Sequence, residues 1–202
     1  MKNMIIKTEY VEREPVGELS YLDFGKPAGV LGRFLNYEPR DLRSPTERQL
    51  NYLKDLGVCI PDNIKNDITI EDASCMISRA EESDDAPRPE LVALAAGLKL
   101  KFSAFIGNGK LFRTIVYTDN NRDRAALYAY AVRQNMRGLR FKNMLEDPDC
   151  ATFYAFADQV LAKPALVRSL LDRTADDFKK THRGTAIYKA AAAFLTTGEI
   201  SK

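Results

Sequence analysis

The stretch Arg122–Lys142, RDRAALYAYAVRQNMRGLRFK, has the clearest helical pattern in the chain. At about 3.6 residues per turn, its apolar residues fall on one side of a helix. They are Ala125, Tyr128, Ala129, Val132, Met136 and Leu139. Its arginines fall together on the neighbouring side, and they are Arg122, Arg133, Arg137 and Arg140. The stretch therefore predicts a helix with a core-facing stripe and, beside it, an arginine stripe.

Caps and apolar spacing predict further helices around this one. Asn120 lies in a capping segment before it, and Gly138 predicts a bend or a stop near its end. Later in the chain, Thr174-x-x-Asp177 resembles a capping box. The later helices are predicted over residues 150–162, 165–172 and 186–195, and the last of them is predicted to be capped by Thr185 and closed by Gly198. Because short loops join these segments, residues 90–202 are predicted to form a helical bundle of about six elements.

The pattern at the start of this bundle fits two structures. A helix from Glu90 to Ile106 would place its leucines and phenylalanines on one face and stop at Gly107, and a second helix would cover 110–117. Residues 98–102 also alternate as a strand does, so 98–117 could instead form a β-hairpin. The proline and glutamate at 89–90 and the length of the segment favour the helix.

Residues 44–82 predict a compact pair of helices. Ser44-Pro45-Thr46-Glu47 has the form of a capping box with proline at the first helical position. Gly57 supplies a left-handed stop, and an extended link, 58–61, leads to a second helix capped by Thr69. The inward residues are predicted to be Leu50, Leu53, Leu56, Ala73, Met76, Ile77 and Ala80.

This segment resembles a small helix-extended-helix module of the SAP type, found in phage and mobile-element proteins of Gram-positive bacteria. The resemblance covers 44–80 and rests on two motifs, Thr46-x-x-Gln49-x-x-Tyr52-Leu53-x-x-Leu56-Gly57-Val58-x-Ile60-Pro61 and Ile70-Glu71-x-Ala73-Ser74-x-x-Ile77. It implies a nucleic-acid or phage-accessory context. The acidic residues predicted to be exposed on the module disfavour phosphate binding by it, and they are Asp55, Asp62, Asp67, Glu71 and Asp72.

The chain is thus predicted to be mainly α, with four parts. Residues 1–43 form an irregular N-terminal arm, with a strand over Met4–Val11 and a short helix near Val30–Tyr37. Residues 44–82 form the helical hairpin, residues 83–89 an acidic, proline-containing linker, and residues 90–202 the bundle. Residues 1–85 contain 11 basic and 17 acidic residues, and residues 86–202 contain 19 and 11. Such a division predicts either two surfaces with different partners or two parts that attract each other.

Composition is typical of a soluble globular protein, with 45% hydrophobic and 29% charged residues. No apolar run approaches the roughly 20 residues of a membrane span, and residues 1–15 lack the apolar core of a secretory signal, so a cytoplasmic location is expected. Cys59, Cys75 and Cys150 are too scattered for a zinc site or a disulfide frame and predict buried free thiols.

Catalytic motifs are missing from the sequence, so we expect no enzyme, no cofactor and no metal. The single histidine, His182, has no partner at a catalytic or metal-binding spacing and is predicted to stabilise a helix end. The acidic pairs Asp147/Asp149 and Asp176/Asp177 are predicted to be helix caps. No glycine motif for binding phosphates occurs.

The arginine stripe is the one constellation that indicates a function. Guanidinium groups spaced by helical turns can follow a phosphate backbone, and Tyr130 could stack on a base or pack beneath the guanidinium groups. Lys142, Lys179, Lys180 and Arg183 could extend the patch. The alternative is a solvated helix face that pairs with the acidic N-terminal half.

Two functions follow from these alternatives. The first is a non-enzymatic accessory protein of a phage or mobile element that associates with DNA, RNA or a nucleoprotein complex through the basic helix face. The second is a protein-binding inhibitor of a host defence nuclease, comparable to anti-CRISPR proteins, in which the charge division serves recognition of the nuclease.

Overall fold

The computed structural model describes residues 41, 43–60, 66–82 and 84–199. These residues form nine α-helices and one short 3-10 helix without any strand, which confirms the predicted mainly α fold. The helices are α1 Glu47–Asp55, α2 Ile70–Glu82, α3 Pro89–Gly97, α4 Asn108–Val116, α5 Asn121–Met136, α6 Cys150–Leu161, α7 Pro164–Leu171, α8 Ala175–Lys179 and α9 Ala186–Thr197. The 3-10 helix is Met144–Glu146. The strand and the helix predicted within the N-terminal arm lie outside the described residues.

The chain divides into two compact units, Met1–Leu111 and Phe112–Lys202. The division falls within α4, whereas the charge and proline pattern predicts a linker at 83–89. Helix α3 therefore belongs to the first unit, although the sequence pattern groups it with the later helices.

Helix α1 of the first unit begins two residues later than the Ser44 capping box predicts. Thr46 is the N-cap: its Oγ1 accepts a hydrogen bond from the Gln49 amide at 3.2 Å, and Gln49 Oε1 accepts one from the Thr46 amide at 3.0 Å. Gln49 Nε2 also donates to Ser74 Oγ on α2 at 2.9 Å. Gln49 therefore closes the capping box and joins the two helices. Glu47, the predicted partner in the cap, is exposed on the first turn. Gly57 has a φ of 74°, as the predicted left-handed stop requires.

Helix α2 buries a carboxylate that the pattern places at the surface. Asp72 is 5% exposed, and with Thr69 it forms a reciprocal cap at the start of α2. Its other oxygen accepts a hydrogen bond from Ser103 Oγ at 2.6 Å. The predicted exposure of Asp72 is therefore wrong, because its cap and its bond to Ser103 satisfy the buried charge. Of the seven residues predicted to point inward, three are buried (Leu53, Ala73 and Met76) and four are half-buried (Leu50, Leu56, Ile77 and Ala80).

Residues 98–107 are neither helix nor hairpin. Helix α3 ends at Gly97, where Lys99 takes a left-handed φ of 56° and the Leu100 amide donates to the Ala95 carbonyl at 3.0 Å. Beyond this turn, Phe102, Phe105 and Ile106 are buried in an irregular segment. The apolar spacing that predicts a helix to Ile106 therefore reflects core packing without helical structure, and the predicted helix is too long by nine residues.

Asp84 anchors the start of α4. Its carboxylate accepts hydrogen bonds from the amides of Gly109, at 2.9 Å, and Lys110, at 3.2 Å. This acidic residue of the predicted linker is therefore a helix cap and not a solvated charge. The Asp84 side chain lies so close to the backbone at position 107 that only glycine fits there, because a Cβ would lie 2.6 Å from Asp84 Cγ.

Gly107→Ala should lower the free energy of unfolding by about 1–2 kcal/mol, because Asp84 must turn away and release the two amides that it caps. Denaturant unfolding followed by circular dichroism measures this. Gly109→Ala is the matched control, since its Cβ would meet Asp84 only at 3.3 Å, and we expect a change near zero. Equal effects of the two substitutions would contradict the role of the close approach.

Helix α5 is the centre of the second unit. It packs against α6, α7, α8 and α9, and every residue from Arg124 to Gln134 is buried. Tyr128 meets the ring of Phe178 on α8 edge-on at 5.2 Å between centroids. The predicted caps at Asn120, Thr174 and Thr185 and the predicted stops at Gly138 and Gly198 are all confirmed. The predicted helices at 150–162, 165–172 and 186–195 correspond to α6, α7 and α9.

The exposure of several other residues differs from expectation. Met136 and Leu139, predicted to face the core, are 54% and 56% exposed. These two predictions are wrong because the packing around α5 ends at Gln134, two residues before the helix does. Cys59 is exposed, Cys75 is buried and Cys150 is half-buried, so the prediction of buried thiols holds fully for Cys75 alone.

Within the described ranges, no helix has the length and apolar character needed to cross a membrane.

Candidate functional site

Arg133 does not belong to an exposed arginine surface. It is 8% exposed, and its Nη1 and Nη2 donate to the carboxylates of Asp149 and Asp147, respectively. Its guanidinium carbon lies 4.5 Å from the centroid of the Phe153 ring. Arg133 therefore joins α5 to the segment that leads into α6, and its assignment to the stripe is corrected. Asp149 precedes α6 as predicted, but its side chain makes no capping hydrogen bond because it is bound to Arg133.

Arg122 is exposed but is held by a carboxylate of the same unit. Its Nε and Nη2 donate to the two oxygens of Asp158 on α6, at 2.6 and 2.9 Å. This bond raises the pKa of Arg122 and lowers that of Asp158. The guanidinium carbon also lies 4.8 Å from the centroid of the Tyr154 ring. The fork that would bind a phosphate is thus already occupied.

Tyr130 lies in the core and cannot stack on a base. It is 2% exposed, and its ring packs edge-on against Phe141 at 5.2 Å and Phe153 at 5.4 Å between centroids. Burial raises the pKa of its hydroxyl. Its ring centroid lies 5.8 Å from the guanidinium carbon of Arg133. The helical pattern misplaces Tyr130 because neighbouring elements cover α5 on the stripe side as well as on the predicted core side.

Arg137, Arg140 and Lys142 are the part of the prediction that stays exposed. We refer to these three residues as the basic corner. They lie within six consecutive positions at and beyond the end of α5, and no acidic residue lies between them. Among the described residues, the side chains of Arg137 and Lys142 have no hydrogen-bond or ion-pair partner. The corner is therefore a short basic surface in place of the predicted stripe.

A tight helix end fixes the basic corner in place. Gly138 has a φ of 66°, its amide donates to the Asn135 carbonyl at 3.2 Å, and the Leu139 amide donates to the Gln134 carbonyl at 2.8 Å. These two bonds are those of a Schellman motif. Arg137 and Leu139 are therefore attached to a hydrogen-bonded helix end and not to a frayed one.

Of the other predicted residues, Lys179 is connected to the corner. Its Nζ lies 5.5 Å from the centroid of the Phe112 ring, and that ring packs edge-on against Phe141, which separates Arg140 from Lys142. Lys179 also pairs with Asp176 at 3.3 Å. Lys180 and Arg183 are exposed, and within residues 84–199 no hydrogen bond or ion pair joins their side chains to the corner.

The one histidine of the chain contacts a carboxylate in the first turn of α8. His182 is exposed, with its Nε2 3.2 Å from Asp177 Oδ1. That carboxylate is buried and also caps α8 through the Thr174 amide at 2.7 Å. Asp177 is therefore committed to a helix start, as predicted for it. Among residues 41, 43–60, 66–82 and 84–199, no group of three or more His, Cys, Asp or Glu side chains could hold a metal ion.

Sequence reasoning missed two residues at this surface, Met136 and Leu139. Both are large apolar side chains that remain more than half exposed, and they alternate with the cations of the basic corner. The signal available in the sequence was Gly138, which ends the helix between them and removes Leu139 from the helical face. No protein-family model, no curated protein and no solved structure matches this chain.

Proposed function

We propose that this chain is a non-enzymatic accessory protein that associates with nucleic acid, or with a nucleoprotein complex, through the basic corner. One observation carries the proposal: three exposed cations lie within six residues at and just beyond the end of α5, and no acidic residue lies between them. Arg137 and Lys142 are not neutralised by a described carboxylate, so their charge is available to a phosphate.

The rest of the arginine stripe does not contribute to this surface. Arg122 and Arg133 are paired with Asp158 and with Asp147 and Asp149, and transferring them to phosphate would break those pairs. The proposed contact is therefore small, of about two or three phosphates, with Arg137 and Lys142 as its cations unpaired among the described residues and Lys179 beside it. The resemblance of 44–80 to modules of phage and mobile-element proteins agrees with an accessory role in that setting, and the acidic residues of that module favour binding by the second unit.

Fluorescence anisotropy with short DNA and RNA across a salt series tests the proposal. We expect binding whose logarithm falls linearly with the logarithm of salt concentration, because bound cations displace counterions from the phosphates. Arg137→Gln/Arg140→Gln/Lys142→Gln should weaken binding at least about tenfold at low salt and reduce the magnitude of the slope by roughly 2–3.

Two controls separate the corner from net charge. Lys54→Gln/Arg168→Gln/Lys189→Gln removes the same charge from exposed residues elsewhere, and Arg122→Gln removes a paired arginine of the predicted stripe. Both should bind as the wild type does, apart from a small effect of net charge in the first. Absence of binding at low salt would refute the proposal. The remaining function would then be a protein-binding inhibitor of a defence nuclease, for which co-purification after nuclease treatment is the appropriate assay.

A further inference from the structure

We infer that the basic corner binds duplex DNA and that Met136 and Leu139 enter between base pairs as an apolar wedge. This inference rests on the proposed function and names its ligand. Phosphate binding alone explains the three cations but not the two large apolar side chains among them. Proteins that bend DNA often combine such side chains with flanking arginines and lysines.

The exposure of Leu139 is not a requirement of the helix end. In a Schellman motif, the apolar residue after the glycine usually packs back on the last turn of the helix. Here the position that it would cover is Gln134, which is 6% exposed, and Leu139 remains 56% exposed. Met136, on the last turn, is 54% exposed. The two side chains therefore form apolar surface that the fold does not use.

The backbone presents this surface rigidly. The glycine at 138 and the two hydrogen bonds that close the helix fix Leu139 relative to Arg137. On the other side, the Phe141 ring is 7% exposed and packs against Tyr130 and Phe112, which anchors Arg140 and Lys142. Little backbone conformational entropy is then lost when the wedge is inserted, which favours binding.

The chemistry of the exposed side chains favours a duplex over a single strand. Proteins that bind single strands present aromatic rings on which bases stack. The aromatic residues that pack beside the corner, Phe112, Tyr130 and Phe141, are all buried. Leucine and methionine have no flat ring, but they fill the gap that opens when a base step is unstacked, while the flanking cations hold the two backbones.

The test combines binding with a measurement of bending. Wild-type protein is titrated into 20-mer DNA duplexes labelled at both ends, one fully paired and one with a central mismatch, and anisotropy and end-to-end energy transfer are recorded. Because a mismatched step is easier to unstack, we expect about tenfold tighter binding to that duplex and a shorter end-to-end distance.

Met136→Ala/Leu139→Ala is the decisive variant. Both side chains are exposed, so the fold should be unaffected, which circular dichroism verifies. The variant should lose the preference for the mismatch and the bend but keep the salt dependence, since all three cations remain. Arg137→Gln/Arg140→Gln/Lys142→Gln should lose the salt dependence instead. Single-stranded DNA and anionic vesicles containing phosphatidylserine are the comparison ligands.

The outcomes separate the inference from the proposed function. Salt-dependent binding to both duplexes without preference or bend would overturn the wedge and leave phosphate binding intact. Tighter binding to the single strand, or an unchanged preference in the Met136→Ala/Leu139→Ala variant, would overturn it as well. Binding to vesicles but to no nucleic acid, or no binding at all, would overturn the wedge and the proposed function together.

Discussion

Arg133→Leu should lower the free energy of unfolding by about 3 kcal/mol, because it removes the partner of two carboxylates and leaves a mostly buried charge uncompensated. The Asp147 side chain is 14% exposed and that of Asp149 is 57% exposed, so most of the loss should come from Asp147. The substitution also removes the guanidinium group that lies over the Phe153 ring. Leucine retains apolar contact there, so packing alone should contribute little to the loss.

A double-mutant cycle tests this assignment. Arg133→Leu leaves the Asp147 carboxylate without its partner, and Asp147→Asn removes that charge. The double variant should therefore be more stable than the sum of the two single effects predicts, by about 1–3 kcal/mol. Arg137→Leu is the matched control: it is four residues away on the same helix, exposed, and without a described partner, so we expect a change within about 0.5 kcal/mol. Denaturant unfolding followed by circular dichroism suits this chain, which has no tryptophan. Equal effects of the Arg133 and Arg137 substitutions would show that the bonds of Arg133 to Asp147 and Asp149 do not stabilise the fold.

The helices were predictable because their signals are local. Asn120 and Thr185 cap helices where the sequence indicates, and Gly57, Gly138 and Gly198 all take the left-handed conformation that ends a helix. Caps and glycines act within about one turn, so neighbouring residues are enough to recognise them. This is why the α-class and the helices after Asn120 follow from the sequence.

The candidate site was only partly predictable because pairing and burial depend on distant residues. Arg122 and Asp158 are 36 residues apart, and nothing near either one indicates that they form a bidentate pair. All four arginines of the predicted stripe fall on one side of an ideal helix. Yet Arg133 is buried and paired with Asp147 and Asp149, and Arg122 is paired with Asp158 on α6. An amphipathic pattern predicts burial correctly only if the helix packs against the core on one side. Helix α5 has neighbours on several sides, so this assumption fails for Tyr130 and Arg133.

The first unit shows the same limit at 98–107. The spacing of Leu98, Phe102 and Phe105 fits a helix, but Lys99 turns the chain out of α3 through a left-handed conformation that lysine seldom adopts. The turn places Ser103 where its hydroxyl reaches Asp72, 31 residues earlier. That long-range bond cannot be seen in a local window, and it explains why a carboxylate that follows the exposed pattern of a first helical turn is buried.

Asp72→Ala should therefore lower the free energy of unfolding by about 2–3 kcal/mol, the sum of a lost cap and a buried hydroxyl without its acceptor. The Asp72 Oδ2 atom accepts from the Thr69 amide and from Thr69 Oγ1, both at 2.9 Å, and Ser103 is fully buried. Ser103→Ala alone should have a smaller effect, since Asp72 keeps its cap.

The control for Asp72 is Asp55→Ala, which removes an exposed carboxylate at the end of α1 and should change stability by only a few tenths of a kcal/mol. Combining Asp72→Ala with Ser103→Ala should be less damaging than the two single effects added together, because the hydroxyl left without an acceptor in the first variant is absent in the second. Strict additivity would show that Ser103 does not depend on Asp72 for its acceptor. The loop 98–107 would then be held by its apolar residues alone, and Asp72 would serve only as the cap of α2.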